Sequence, residues 1–285
     1  MKRYGKKRFI VLAAFLTLII SSRELLADGS LTLAVHPYQA DHVLIKKFTP
    51  LARYLEKQTG LKIKVRVGSS YDEHIRYIGQ DKVDIAYMGP ASYVNMVNEY
   101  SNKPILARLE VNGFSYFQGN IIARKGSGIK SLDDLKGKRI AFGDPNSTMS
   151  YIVPHYILHK AGVFGDQLNK HEFLYSHNNV ALGILVGDFD AGAVKPSVFK
   201  KFESKGLITI AMTPKISEHL FVTRSNLPKN KIDALRQAML NVKKHNSGRA
   251  ALSEIKKSIT NLVATTKNDY VNLREIILDS RKLHK

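Results

Sequence analysis

The chain has 285 residues, with 44 lysines and arginines against 24 aspartates and glutamates, a formal net charge of +20, and no cysteine. The missing cysteine excludes a disulfide framework, thiolate catalysis and a lipid-attachment cysteine. The positive excess raises nucleic acid as a partner, but the basic residues are scattered, with no arginine-rich run and no finger or RNP pattern, so no nucleic acid is expected. A positive field instead concentrates small anions and speeds their capture.

Residues 1–27 read as a secretory signal: basic Lys2, Arg3, Lys6, Lys7 and Arg8, an apolar run over 9–20, then Leu25, Leu26 and Ala27 as a cleavage site. That run is shorter than the roughly 18 to 20 residues that span a bilayer, so cleavage after Ala27 and a periplasmic protein are expected. Downstream, strand-like and helix-like runs alternate, as in α/β layers around parallel-rich sheets. The pattern predicts a strand over 31–35, a helix over 43–58 stopped by Gly60, and a strand over 61–67 with alternating faces. A short helix over 71–78 and a strand over 83–87 follow.

A strand over 121–124 marks a crossing to a second lobe. Next comes a short helix after Ser131, with Ser131 as N-cap and Asp134 three residues on, close to a capping box. Strands over 139–142, 172–175 and 191–194 and helices over 151–160 and 178–186 complete that lobe, and 221–224 returns the chain to the first. Two or three helices are expected from Lys229 onward. Two lobes joined by two crossings enclose a cleft. Lobe 1 is assigned 28–117 plus 219–285, and lobe 2 is assigned 118–218.

The stretch Gly143-Asp144-Pro145-Asn146-Ser147-Thr148-Met149-Ser150 ends a predicted strand and opens a predicted helix. Free backbone N–H groups and the helix dipole make such a start an anion cradle, and Ser147, Thr148 and Ser150 add hydroxyl donors. An ordinary N-cap would look the same locally.

The wider chain resembles the phosphate-, phosphite- and phosphonate-binding proteins of ABC importers, a branch of the type II periplasmic binding proteins. The resemblance rests on Phe48-Thr49-Pro50-Leu51 with Tyr54-Leu55-Glu56 and Thr59-Gly60, on Asp84-Ile85-Ala86-Tyr87-Met88-Gly89-Pro90, and on Ser131-Leu132-Asp133-Asp134-Leu135-Lys136-Gly137-Lys138. The hydroxyl turn, Ser176-His177-Asn178-Asn179 and Gly187-Asp188-Phe189-Asp190-Ala191-Gly192-Ala193-Val194 extend it.

It implies an α/β fold of two lobes with a two-crossing hinge, closing on a small phosphorus oxyanion for delivery to an ABC permease. It implies no metal or cofactor, and a monomer is expected. The implied ligand contacts are Ser147, Thr148, the amides through Met149 and Ser150, His177, Tyr71, and either Tyr116 or Phe117. Tyr87 and Tyr93 flank Gly89-Pro90 as candidate cleft wall. Relatives commonly carry a third serine where this chain has Met149 and a glycine where it has Ser150, so Ser150 either replaces the lost hydroxyl or points elsewhere. Members that hold a ligand amine use acidic residues where this chain has Lys195 and His219, which argues against an aminophosphonate. Binding through His177 is expected to strengthen as pH falls, because protonation adds a donor.

Three alternatives stay open at this level. Asp188 and Asp190 suggest a carboxylate pair, but no nucleophile elbow, His-x-x-x-His or Walker pattern occurs, so an enzyme is not expected. A ligand-binding sensor presenting the oxyanion to a membrane receptor kinase needs the same clamp. Another ligand of the superfamily, such as a sulfonate or thiamine precursor, is the third.

Overall fold

A computed structural model describes residues 29–282. The signal expected over 1–27 lies outside the described residues. From the start of that region the chain forms β1 (Leu31–Val35), α1 (Asp41–Thr59), β2 (Ile63–Val67), α2 (Tyr71–Gly79), β3 (Ile85–Met88), α3 (Pro90–Tyr100) and β4 (Ile105–Val111). It crosses through β5 (Tyr116–Phe117) into β6 (Asn120–Arg124), β7 (Arg139–Phe142), α4 (Val153–Lys160), β8 (Lys170–Phe173), α5 (His177–Val186), β9 (Ala191–Val194), α6 (Pro196–Glu203) and β10 (Leu207–Met212). A second crossing through β11 (Ile216–Ser217) leads to β12 (Leu220–Thr223), α7 (Lys229–Leu240), α8 (Asn246–Ile255), β13 (Ile259–Val263) and α9 (Val271–Lys282).

Local chemistry explains the best-read elements. Helix α1 buries Leu44, Phe48, Leu51 and Leu55 at helical spacing. It ends at Gly60, whose φ of 71° suits a residue without Cβ and whose N–H returns to the Glu56 carbonyl. Ser70 caps α2 by accepting from the Glu73 N–H at 3.0 Å, which sets Tyr71 at the first helical position.

Two sheets result. The first runs β13-β4-β12-β3-β1-β2 and the second β10-β6-β9-β7-β8. Both are mixed where parallel-rich sheets were expected: β1 lies parallel to β2 and β3, and β7 parallel to β8 and β9, while β12 and β6 pair antiparallel with their neighbours. The reason is the topology, because β6 and β12 are the strands that enter each sheet from the other one. The two crossings pair with each other, Ile216 opposite Phe117 and Ser217 opposite Tyr116, as a short antiparallel ribbon between the sheets.

Each sheet is covered on both faces. Helices α1, α7 and α8 cover one face of the first sheet around Phe48, Leu51, Leu235 and Leu252. On the other face, Met96, Tyr270 and Ile276 pack in one cluster with Met149, Ile152 and Val153, so α9 and the segment leading into α4 join the two halves. Smaller cores around Phe142 and around Val180 flank the second sheet.

Several expectations change. Ser131 does not cap a regular helix: Asp133–Leu135 is a single 3-10 turn, and the Asp134 carboxylate accepts from the Lys130 and Ser131 N–H groups and the Ser131 hydroxyl, all at 2.9 Å. The strand expected over 172–175 sits two residues earlier, because Tyr175 has a φ of 56° that extended pairing does not tolerate. Strand β13 lies within a tail read as helical. Asp190 receives Arg139 through its backbone N–H at 2.8 Å and its guanidinium at 2.9 Å, which accounts for that carboxylate structurally.

Candidate ligand-binding site

The hydroxyl turn follows β7 and differs from an ordinary helix start. Thr148–Ile152 is a π turn, with the Ile152 N–H on the Ser147 carbonyl at 3.0 Å, and α4 begins only at Val153. Pro154 has no N–H to give the Ser150 carbonyl, which accepts the Gly143 N–H at 3.2 Å instead. The widened turn therefore rests on the end of β7, a placement typical of π turns at functional sites.

Its hydroxyls diverge. Ser147 Oγ accepts from the Ser150 N–H at 3.3 Å, and Thr148 Oγ1 accepts from the Ala91 N–H at the start of α3 at 3.0 Å. Both keep a proton to donate, and both side chains line the cleft. Ser150 is a correction: it is fully buried, its hydroxyl donates to the Ala193 carbonyl at 2.6 Å, and it ties the turn to β9. It does not replace the hydroxyl absent at Met149. The Met149 side chain lines the cleft and packs on Thr213 and against Gly119.

His177 opens α5 and stands beside the turn. Its Nδ1 accepts the Lys195 backbone N–H at 3.1 Å, so the proton of the neutral ring is on Nε2, which is 3.4 Å from Ser147 Oγ. Burial, with the charges of Lys195 and His219, holds its pKa well below the ordinary histidine value. Both features oppose the expected strengthening at low pH for this residue, because a second proton needs the nitrogen that already accepts a backbone donor. The imidazole should stay an Nε2–H tautomer at neutral pH, read by long-range proton–nitrogen NMR. A titration midpoint for His177 at or above the ordinary histidine value would contradict the geometry.

The other wall is aromatic. Tyr71, Tyr87, Tyr116 and Phe117 all line the cleft, so the choice between Tyr116 and Phe117 dissolves. Tyr93 does not line it, packing instead on Tyr270 with ring centroids 5.0 Å apart. Burial raises the Tyr71 hydroxyl far above its usual pKa, with Asp144 adding to the shift, so it stays a neutral donor.

His36, not singled out from the sequence, completes the wall together with Lys195 and His219. His36 directly follows β1, is 3% exposed, and has no hydrogen-bond partner on either ring nitrogen among the described residues. Its ring lies 5.1 Å from that of Tyr71 and 5.5 Å from that of His219. Burial and the charges of His219, His74, Lys195 and His177 keep it neutral. A buried polar ring facing a cleft without a partner is a group that a bound molecule can satisfy. Lys195 is half-buried, with Nζ 4.4 Å from the centre of the Tyr38 ring. Burial, with repulsion from Lys256 and Lys47, pulls its pKa down to about 8. His219 hydrogen-bonds the Glu218 carboxylate at 3.0 Å. One signal would have found His36: it follows the carboxyl end of a parallel strand, as do the segments holding Tyr71, the hydroxyl turn, His177 and Lys195, and such ends are where open α/β sheets bind ligands.

These groups surround a cavity of about 620 Å³ between the two sheets, bounded by the paired crossings. Asn146, in the segment before the turn, reaches the first lobe by donating to Asp72 Oδ1 at 2.7 Å and accepting from Asn95 at 3.3 Å.

Two mixed α/β lobes, a paired double crossing and a polar cleft between them define a periplasmic-binding-protein fold. The chain belongs to the family of periplasmic substrate-binding proteins of ABC phosphonate transporters, which it matches over residues 33–270. It is similar to the phosphate-import protein PhnD of Mycolicibacterium smegmatis, with 31% identity over 73% of this chain and 70% of that one. A probable phosphite-binding protein of an ABC transporter from Prochlorococcus marinus is 27% identical over 69% of this chain and 68% of its own. Among solved structures, PhnD1 from Prochlorococcus marinus in complex with methylphosphonate superposes with a TM-score of 0.80 at 24% identity, covering 90% of this chain and 99% of that one.

Proposed function

We propose that the cleft captures a small phosphorus oxyanion, phosphonate, phosphite or phosphate, by closure of the two lobes, and presents it to an ABC permease. The observation that carries this is a cleft wall on which Ser147 and Thr148 each keep a hydroxyl proton to donate, with the Nε2–H of His177 3.4 Å from Ser147 Oγ. All are neutral donors, suited to a buried anion, which charge-assisted hydrogen bonds hold without a counter-ion. The relatives' names, a phosphate-import and a phosphite-binding protein, agree with a tetrahedral phosphorus group.

Contacts that span the lobes support closure. Thr148 binds the Ala91 amide and Asn146 binds Asp72, so the same turn that meets the anion also meets the opposite lobe. Ligand binding then favours the closed form by the difference in affinity between the two states.

Isothermal titration calorimetry with methylphosphonate, phosphite, phosphate and sulfate tests the reading. At least one phosphorus oxyanion is expected to bind, and at a hundredfold its Kd it should raise stability by about 2.7 kcal/mol. Failure of all three on a folded protein free of co-purified ligand would overturn it.

A further inference from the structure

The cleft is larger and more positive than one tetrahedral group requires. Its volume of about 620 Å³ corresponds to roughly twenty waters at about 30 Å³ each, more than a five-atom oxyanion fills. Four lysines line it, Lys47, Lys195, Lys201 and Lys256, against one carboxylate, Glu218. That carboxylate is already engaged by the His219 backbone N–H at 3.1 Å and Nδ1 at 3.0 Å. No ion pair engages any of the four lysines among the described residues.

Lys195 is the one built into the wall. Its backbone N–H fixes His177, and its ammonium lies over the Tyr38 ring at 4.4 Å. It therefore springs from the residue that orients the phosphoryl donor. Lys256 and Lys47 repel the Lys195 ammonium, Glu218 offsets this in part, and an anion placed beside Lys195 relieves what remains. An ammonium placed there would add to it.

We propose that the ligand carries a second anionic group, as in a phosphonocarboxylate, with its phosphoryl end on Ser147, Thr148 and His177 and its carboxylate against Lys195. This rests on the phosphoryl reading above and narrows it. The buried donors meet the tetrahedral group, and the lysine wall sorts ligands by the charge of what is attached to it.

Calorimetry of the protein with methylphosphonate, phosphonoacetate, 3-phosphonopropionate and 2-aminoethylphosphonate separates the two readings. At least one phosphonocarboxylate is expected to bind about tenfold or more tighter than methylphosphonate, and aminoethylphosphonate more weakly. In Lys195→Gln the ratio of phosphonocarboxylate to methylphosphonate affinity should fall toward one, and in Lys195→Arg it should persist. Methylphosphonate binding as tightly as both phosphonocarboxylates would overturn the second anionic group and leave the phosphoryl site standing. A preference unaltered in Lys195→Gln would overturn the role of Lys195. No binding by any of the four would overturn this inference together with the function it rests on.

Discussion

Replacing Ser147 and Thr148 together by alanine is expected to weaken phosphorus-oxyanion binding by about 2 to 5 kcal/mol, roughly thirty- to several-thousand-fold in Kd. Each hydroxyl accepts one backbone N–H, Ser147 from Ser150 and Thr148 from Ala91, and so presents its proton to the cleft. Losing both removes two donors to a buried charge, and the Nε2–H of His177 does not replace them. The same substitutions also remove a helix cap and leave the Ala91 amide without its partner, so stability should fall by about 1 to 2 kcal/mol and Tm by a few degrees. Calorimetry measures the first effect and circular dichroism the second. A folded double variant with undiminished affinity would mean that the anion is held elsewhere in the cleft.

Gly192→Val is expected to destabilise the second lobe by about 3 kcal/mol or more, lowering Tm by roughly 6 to 12 °C. Gly192 lies in β9 between β6 and β7, and a Cβ there would sit 2.5 Å from the Ala141 carbonyl oxygen and 2.7 Å from Val180 Cγ1. The oxygen belongs to the backbone of β7 in the second sheet and cannot rotate away. Relief requires β9 to move, and β9 carries both the Ala193 carbonyl that anchors Ser150 and the approach to Lys195. Ligand affinity should therefore fall with stability. A thermal melt within 2 °C of the parent would show that the sheet yields more easily than this geometry indicates.

The same residues show how far the sequence reached. Strands β1, β7 and β9 and helices α1 and α5 were readable because apolar spacing, a C-terminal glycine and a capping serine act within a few residues. Where two local preferences competed, the reading failed. Asp134 satisfied backbone amides without building a helix, and the hydroxyl turn widened into a π turn because Pro154 withdrew a donor from the next turn. Tyr93 and Tyr87 have similar surroundings in sequence, yet one packs against Tyr270 and the other faces the cleft, which depends on partners far along the chain.

By itself the sequence determined the alternation of strands and helices, the two crossings, and a hydroxyl-rich turn after β7, since each is written in short-range pattern and hydrogen-bonding chemistry. Only the tertiary structure decided that Ser150 turns inward to Ala193, that His177 is held as a neutral Nε2–H donor, and that His36 and Lys195 stand in the same cleft. Those outcomes depend on carbonyls, amides and charges brought together from separate strand ends, and no local pattern records which of them will meet.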